Sequence, residues 1–237
     1  MKEFILNFYG HAVFIYSLAL ILSYVALMWL AEISILRNKR RNLESYARNL
    51  LHKSPFTPGV SIVAPAYNEE TTIVENVHSL LSQDYPLFEV IIVNDGSKDR
   101  TLERLIENFD LVEVPYAYVA QLKTKPYRRM FKSTRPEFAR LKVVDKVNGG
   151  TKADAVNAGL NAAVFPYFIN TDVDCILAKD AIFRCVLPLL KQENIIAVSG
   201  AMALSNGCKV EKGQIVEAYP PHAPVPLFQT CLLYTSP

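Results

Sequence analysis

Three times along this chain a short β-forming run ends in polar residues and is followed by a helical pattern, and this alternation restricts the fold most. Residues 60–64 (VSIVA) lead into Pro65-Ala66-Tyr67-Asn68-Glu69-Glu70, and then Ile73, Val74, Val77, Leu80 and Leu81 recur at helical spacing. Residues 88–93 (FEVIIV) lead into Asn94-Asp95-Gly96-Ser97, followed by Leu102, Leu105, Ile106 and Phe109, with Asp99 or Thr101 placed to cap that helix. Residues 141–145 and 167–170 read as strands around a helix over 152–163, and residues 195–199 read as one more strand. Strands that alternate with helices need crossover connections. The expected architecture is therefore α/β and Rossmann-like, a mostly parallel sheet with helices on both faces.

In such sheets ligands bind beyond the carboxyl ends of the strands. Here the loops at those ends are 65–70, 94–97 and 171–174, all rich in side chains that hydrogen-bond or bind metal. Taken singly, Asp95-Gly96 is a turn signal, Asn68 a helix cap, and Asp172-Val173-Asp174 an acidic strand end. Taken together they mark a site. In extended backbone Asp172 and Asp174 face one side and offer hard oxygen ligands suited to Mg²⁺ or Mn²⁺. The chain has neither a Gly-x-x-x-x-Gly-Lys-Ser/Thr loop nor a Gly-x-Gly-x-x-Gly turn after a strand, which argues against ATPases and dinucleotide dehydrogenases. It does have Asn148-Gly149-Gly150-Thr151-Lys152-Ala153-Asp154, a glycine loop that opens a helix with a lysine in its first turn, a combination that favours an anion.

Residues 12–31 (AVFIYSLALILSYVALMWLA) carry no charge and match the roughly 30 Å hydrocarbon core of a bilayer. That run accounts for a hydrophobic fraction of 51% and a positive mean hydropathy. A cleaved signal peptide would want a charged leader and a shorter apolar core. Arg37, Lys39, Arg40 and Arg41 follow the run, so the positive-inside rule places the N-terminus outside and the remainder in the cytoplasm, at the plasma (inner) membrane. Between them and Pro58, Leu43, Tyr46, Leu50 and Leu51 recur among bases, as in a helix lying on an anionic leaflet or an ordinary solvated linker helix. The segment 123–146 concentrates nine Lys and Arg against Glu137 and Asp145, and reads as a basic loop or a solvated insertion. With net charge +2 and no nucleic-acid-binding pattern, nucleic acid is not an expected partner. Cys175, Cys185, Cys208 and Cys231 show no metal-ligand spacing and read as reduced thiols.

The ordered motifs SIVAPAYNEE, VIIVNDGS, VVDKVNGGTKADAVNAGLNAA, FINTDVDC and IAVSGAMALSNGC resemble those of the family 2 glycosyltransferases, the membrane-bound group of poly-N-acetylglucosamine, chitin and hyaluronan synthases. The resemblance implies a GT-A fold over residues 60–230, behind a membrane anchor over 1–36 and a basic linker over 37–59. It implies an inverting transfer from a nucleotide sugar, most often a UDP-sugar, to a saccharide or lipid-linked acceptor. It places Ala64, Pro65, Tyr67 and Glu69 beside the nucleotide, Asp95 on the base, Lys152 near the diphosphate, Asp172 on the donor and Asp174 as the main metal ligand. Two departures stand out: Asn94 where many members have Asp, and Thr151, which lengthens the Gly-Gly-Lys-Ala-Asp run by one.

The general base that an inverting transferase needs is not identifiable. The resemblance puts it in a later Thr/Ser-Glu-Asp motif, and Glu217 is the one late carboxylate to name as a substitute, with a surface role the ordinary alternative. Residues 231–237 read as a tail foreign to the domain, joined to a C-terminally truncated sequence. Competing readings are a non-catalytic nucleotide-sugar-binding fragment and a nucleotidyltransferase, the latter disfavoured because residues 60–70 lack a glycine-rich basic motif.

Overall fold

The structure, a computed structural model, describes residues 2–39, 43–115, 120–200, 208–211 and 214–217. The described residues fall into two units, those up to Ala47 in one and those from Arg48 onward in the other. In the first, helix α1 (Lys2–Lys39) contains a 24-residue stretch, Gly10–Ile33, long and apolar enough to cross a membrane, with none of its most apolar part buried. Ser23 turns its hydroxyl back onto the Leu20 carbonyl at 2.7 Å, so this polar side chain adds no unsatisfied donor to the apolar surface. The uncharged run at 12–31 lies inside this stretch.

Helix α2 (Leu43–Lys53) carries the chain into the second unit, and its last two turns are docked there. Leu51 is buried, and Arg48 lies over the Phe183 ring while reaching Asp84 at 3.1 Å and Asp180 at 3.2 Å. Asn49, Leu50, His52 and Lys53 stay exposed, so only one side of these turns is docked.

The sheet of the second unit has the order β3-β4-β5-β2-β1-β6, where β1 is Val60–Ala66, β2 Phe88–Asn94, β3 Leu111–Glu113, β4 Tyr127–Ser133, β5 Leu141–Lys146 and β6 Tyr167–Asn170. The pairs β1 with β2, β1 with β6, and β2 with β5 are parallel, as the alternation predicts. β3 and β4 add an antiparallel edge. That edge corrects the reading of 123–146 as a basic loop. Met130 and Phe131 bury their side chains against β5, and most of the bases find acidic or aromatic partners. The strand expected at 195–199 is absent: Ile196 is 98% exposed and no described strand offers its backbone a ladder.

Helices α3 (Ile73–Leu81), α4 (Thr101–Phe109), α5 (Lys152–Ala162) and α6 (Ala181–Lys191) follow the apolar spacing. α5 covers one face of the sheet, where Ala155, Ala158 and Ala162 meet Val63, Ile91, Val93, Val144 and Met130. Strand residues of the other parity, including Ile62, Val90, Ile92 and Val143, are equally buried, and α3 packs on β2. Each such Val or Ile contributes roughly 1.5–3 kcal/mol relative to exposure. Small residues on α5 bring that helix close to the strands. Its first turn is thereby fixed at their carboxyl ends. The short pair β7 (Lys209–Glu211) and β8 (Gln214–Glu217) completes the described chain.

Candidate active site

β1 admits a proline next to its last residue because one side of the strand no longer needs a donor there. Pro65 pairs with Val93 of β2, while β6 stops opposite Val63, whose carbonyl takes the Thr171 N–H at 3.1 Å. The chain then leaves the sheet through Tyr67, which is 45% exposed, and Asn68, which is left-handed with φ 58°. Asn68 is not a helix cap. Its side-chain oxygen accepts from Lys98 N at 2.9 Å, and its own N–H donates to Ser97 Oγ at 3.0 Å. Further bonds run both ways: Glu69 N to Thr101 Oγ1 at 2.8 Å, Glu70 N to Asp99 Oδ2 at 3.1 Å, and Arg100 N to Glu70 Oε2 at 3.0 Å. The loops after β1 and β2 are thus stitched together. Asp99 also accepts from Thr101 N in the first turn of α4, and although burial opposes it, these donors hold its carboxyl below the ordinary value.

Past β2 the chain turns at Gly96, with φ +66°, where an added Cβ would stand 2.9 Å from Asn148 N. This turn leaves Asp95 beside the loop that opens α5. Asp95 Oδ1 accepts from Lys146 Nζ at 2.6 Å and from Gly149 N at 3.0 Å, and its carbonyl accepts from Asn148 Nδ2 at 2.7 Å. Thr151 is the N-cap of α5, accepting from Asp154 N at 3.3 Å, so the residue that lengthens the glycine run is the one that starts the helix. Lys152 follows and bonds Asp172. Asp154, one turn in, accepts from Lys125 N at 2.9 Å and faces Lys146 Nζ at 2.6 Å; against the upward push of burial, these partners keep its carboxyl below the usual range.

The two aspartates after β6 converge by a route other than the expected strand alternation. Asp172 O accepts from Cys175 N at 3.1 Å, closing a turn, and Val173 is buried beneath it. One oxygen from each of Asp172 and Asp174 and the Cys175 sulfur lie within 4.8 Å of one another. Burial first, then the two carboxylates, push the Cys175 thiol up. Two exposed carboxylates at this spacing fit a hard divalent cation by donor chemistry.

These parts line one cavity of about 450 Å³, walled by Pro65, Ala66, Tyr67, Glu69, Asp95, Asn148, Gly150, Thr151, Lys152, Ala155, Asp172, Val173 and Asp174. Residues 61–114, from β1 through β2 and α4 to just past β3, match the family model "Glycosyl transferase family 2". Over this stretch the chain has the sequence of a family 2 glycosyl transferase. A poly-beta-1,6-N-acetyl-D-glucosamine synthase of Staphylococcus epidermidis is 31% identical over 164 residues, 68% of this chain and 33% of that protein. The probable glycosyltransferase YdaM of Bacillus subtilis is 26% identical over 205 residues, 84% of this chain and 42% of that one. The chain therefore spans a third to two fifths of the length of these relatives. Among solved structures, the mannosyltransferase PcManGT of Pyrobaculum calidifontis, in complex with GDP-Man and Mn²⁺, is 24% identical over 67% of this chain and 41% of that one, with a TM-score of 0.41.

Of the family residues expected at the site, Pro65, Tyr67, Glu69, Asp95, Lys152, Asp172 and Asp174 all line the cavity. Ala64 does not, being wholly buried in β1 one residue below the rim. Asn94 departs from the common Asp for a visible reason. It is buried in register with Asp145 and donates to Asp145 Oδ1 at 2.8 Å, whereas a second carboxylate there would oppose the first. Arg129 takes the other oxygen of Asp145 at 3.1 Å. Lys146 and Asn148 are contributors that the motif reading missed. The side chain of Glu217 and the segment 231–237 lie outside the described residues.

Proposed function

We propose that this chain is the donor-binding part of a membrane-anchored, inverting glycosyltransferase that takes a sugar from a nucleotide sugar, a UDP-sugar, and passes it to a saccharide or lipid-linked acceptor. The observation that carries the reading is the convergence of Asp95, Lys152, Asp172 and Asp174 from three separate strand ends on one cavity. Asp95 and Tyr67 form the end for the base, with Glu69 toward the ribose, and Lys152, at the start of α5, brings an ammonium toward the diphosphate. Asp172 and Asp174 would hold Mg²⁺ or Mn²⁺. A divalent ion bound there supplies charge stabilisation for the departing nucleoside diphosphate. The Lys152 to Asp172 ion pair is exposed on both sides, so a phosphate group competes for that lysine at little desolvation cost.

In this reading residues 1–36 are the anchor, with Gly10–Ile33 spanning the bilayer, 37–59 the linker and 60–230 the transferase domain, and residues 231–237 stand apart as a tail foreign to it. The basic cluster from Arg37 to Arg41 puts the domain on the cytoplasmic side. Titration of the full chain with UDP, with and without Mg²⁺ or Mn²⁺, tests the site. Tight binding that is metal-dependent in the wild type and loses that dependence in Asp174→Ala, with an unchanged melting temperature, is the expected outcome. UDP binding that chelation leaves untouched would remove the metal role, and an absence of UDP binding would remove the nucleotide-sugar reading itself.

A further inference from the structure

A buried charge stands behind the cavity wall. Lys146 closes β5 with its side chain fully buried: Nζ donates to Asp95 Oδ1 and to Val147 O, and pairs with the charge of Asp154 Oδ2, each at 2.6 Å. Two hydrogen bonds and an ion pair leave the ammonium little freedom to swing. On one side it meets the carboxylate that lines the base end of the cavity. On the other it meets the first turn of α5, two residues past Lys152. A single buried charge therefore ties the two ends of the site together.

We propose that Lys146 is the positioning residue that fixes Asp95 as an obligate hydrogen-bond acceptor, and so makes the cavity select a uracil-type ring over a cytosine-type ring. This rests on the nucleotide-sugar reading above. Oδ1 of Asp95 is taken by Lys146 and by Gly149 N at 3.0 Å, while no described residue donates to Oδ2. A carboxylate paired with an ammonium can only accept. It complements a ring whose edge nitrogen carries a proton, as in uracil, and repels one that presents a lone pair there, as in cytosine. Without the ammonium, Asp95 Oδ1 keeps only the Gly149 N–H, and the carboxylate is free to rotate its acceptors away from the edge of the ring, whatever the charge at Asp154.

The experiment measures UDP and CDP affinities with Mg²⁺ for the full chain, for Lys146→Met and for Lys142→Met, which removes the other buried lysine of the same strand. The wild type is expected to prefer UDP at least tenfold. Lys146→Met should lose at least tenfold in UDP affinity, with the UDP-to-CDP ratio falling toward one. Lys142→Met should melt earlier with its ratio intact. Should Lys146→Met not melt cooperatively, Lys146→Met/Asp154→Asn, which leaves one buried charge in place of two, is expected to show the same collapse of the ratio. A folded Lys146 variant that keeps the wild-type ratio overturns the proposal alone, as does a wild type with no preference between the nucleotides. Failure of both variants to fold overturns it too, by making Lys146 a folding group. A wild type that binds neither nucleotide overturns the nucleotide-sugar reading beneath it.

Discussion

At the start of β5, Lys142 meets Glu89 at 2.6 Å, and at its end Lys146 meets Asp95 and Asp154 at the same distance. Both lysines lie on the side of the strand that faces α5, with Val144 between them, and β2 repeats the arrangement as Glu89, Ile91, Val93 and Asp95. The sheet face is therefore apolar in the middle and ion-paired at both ends. The ends differ in what remains unspent. Glu89 also accepts from Ser61 Oγ at 2.7 Å and Val164 N at 2.8 Å, and Lys142 reaches Ala162 O at the last turn of α5, so that end is saturated and sealed. At the other end one oxygen of Asp95 and the groups of Asp172 and Asp174 line open space. Saturation marks the end that holds the fold, and unused acceptors mark the end that meets a ligand.

The sharpest way to break this comparison is Lys142→Met, which strands Glu89 in the interior. A loss of about 3–5 kcal/mol in urea unfolding is expected. Nucleotide affinity should be unchanged in whatever remains folded, and a matching loss of affinity would erase the distinction between the ends. Gly159→Ala probes the apolar middle. Its Cβ would overlap the Val63 side chain and stand 3.0 Å from Val93 Cγ2, so α5 must lift from the sheet, at a cost of about 1–3 kcal/mol. Because α5 carries Lys152, this variant should weaken UDP binding as well, and calorimetry alongside melting would show both. Thr151→Ala removes the cap of α5 and is expected to cost about 1 kcal/mol. The smallest effect is one of pH. The depressed carboxyl of Asp154 stabilises the fold above the ordinary carboxylate pKa of about 4, and that contribution is lost as pH falls through its lower folded value. Asp154→Asn should flatten the acid limb of stability below about pH 4 and leave the neutral limb's slope alone, as read by denaturant unfolding across a pH series.

The parallel strands were legible because each is a run of β-formers closed by polar residues, and the three strand-end loops were legible because the topology permits only one place for them. Tyr67, Asp95 and Asp174 came with those loops, and Lys152 with the glycine loop that opens α5. The antiparallel edge was hidden: Tyr127–Ser133 carries Arg128, Arg129 and Lys132, and charge density masked the buried Met130 and Phe131. Residues 195–199 erred in the opposite direction, since β-propensity alone supplies no partner strand. Lys146 was missed because a lysine at a strand end usually points to water. The signal that would have found it is parity. Lys142, Val144 and Lys146 share one face with Glu89, Val93 and Asp95, and matched charges at both ends of a buried face imply pairing.

The stitched loops after β1 and β2 carry a further consequence. The amides of Asn68, Glu69, Glu70, Lys98 and Arg100 each donate to a group on the opposite loop, so none can be freed alone. In hydrogen exchange these five should open as one unit with a shared rate. The rim of the cavity then behaves as a single hinged plate, and a contact made at Tyr67 is felt at the start of α4.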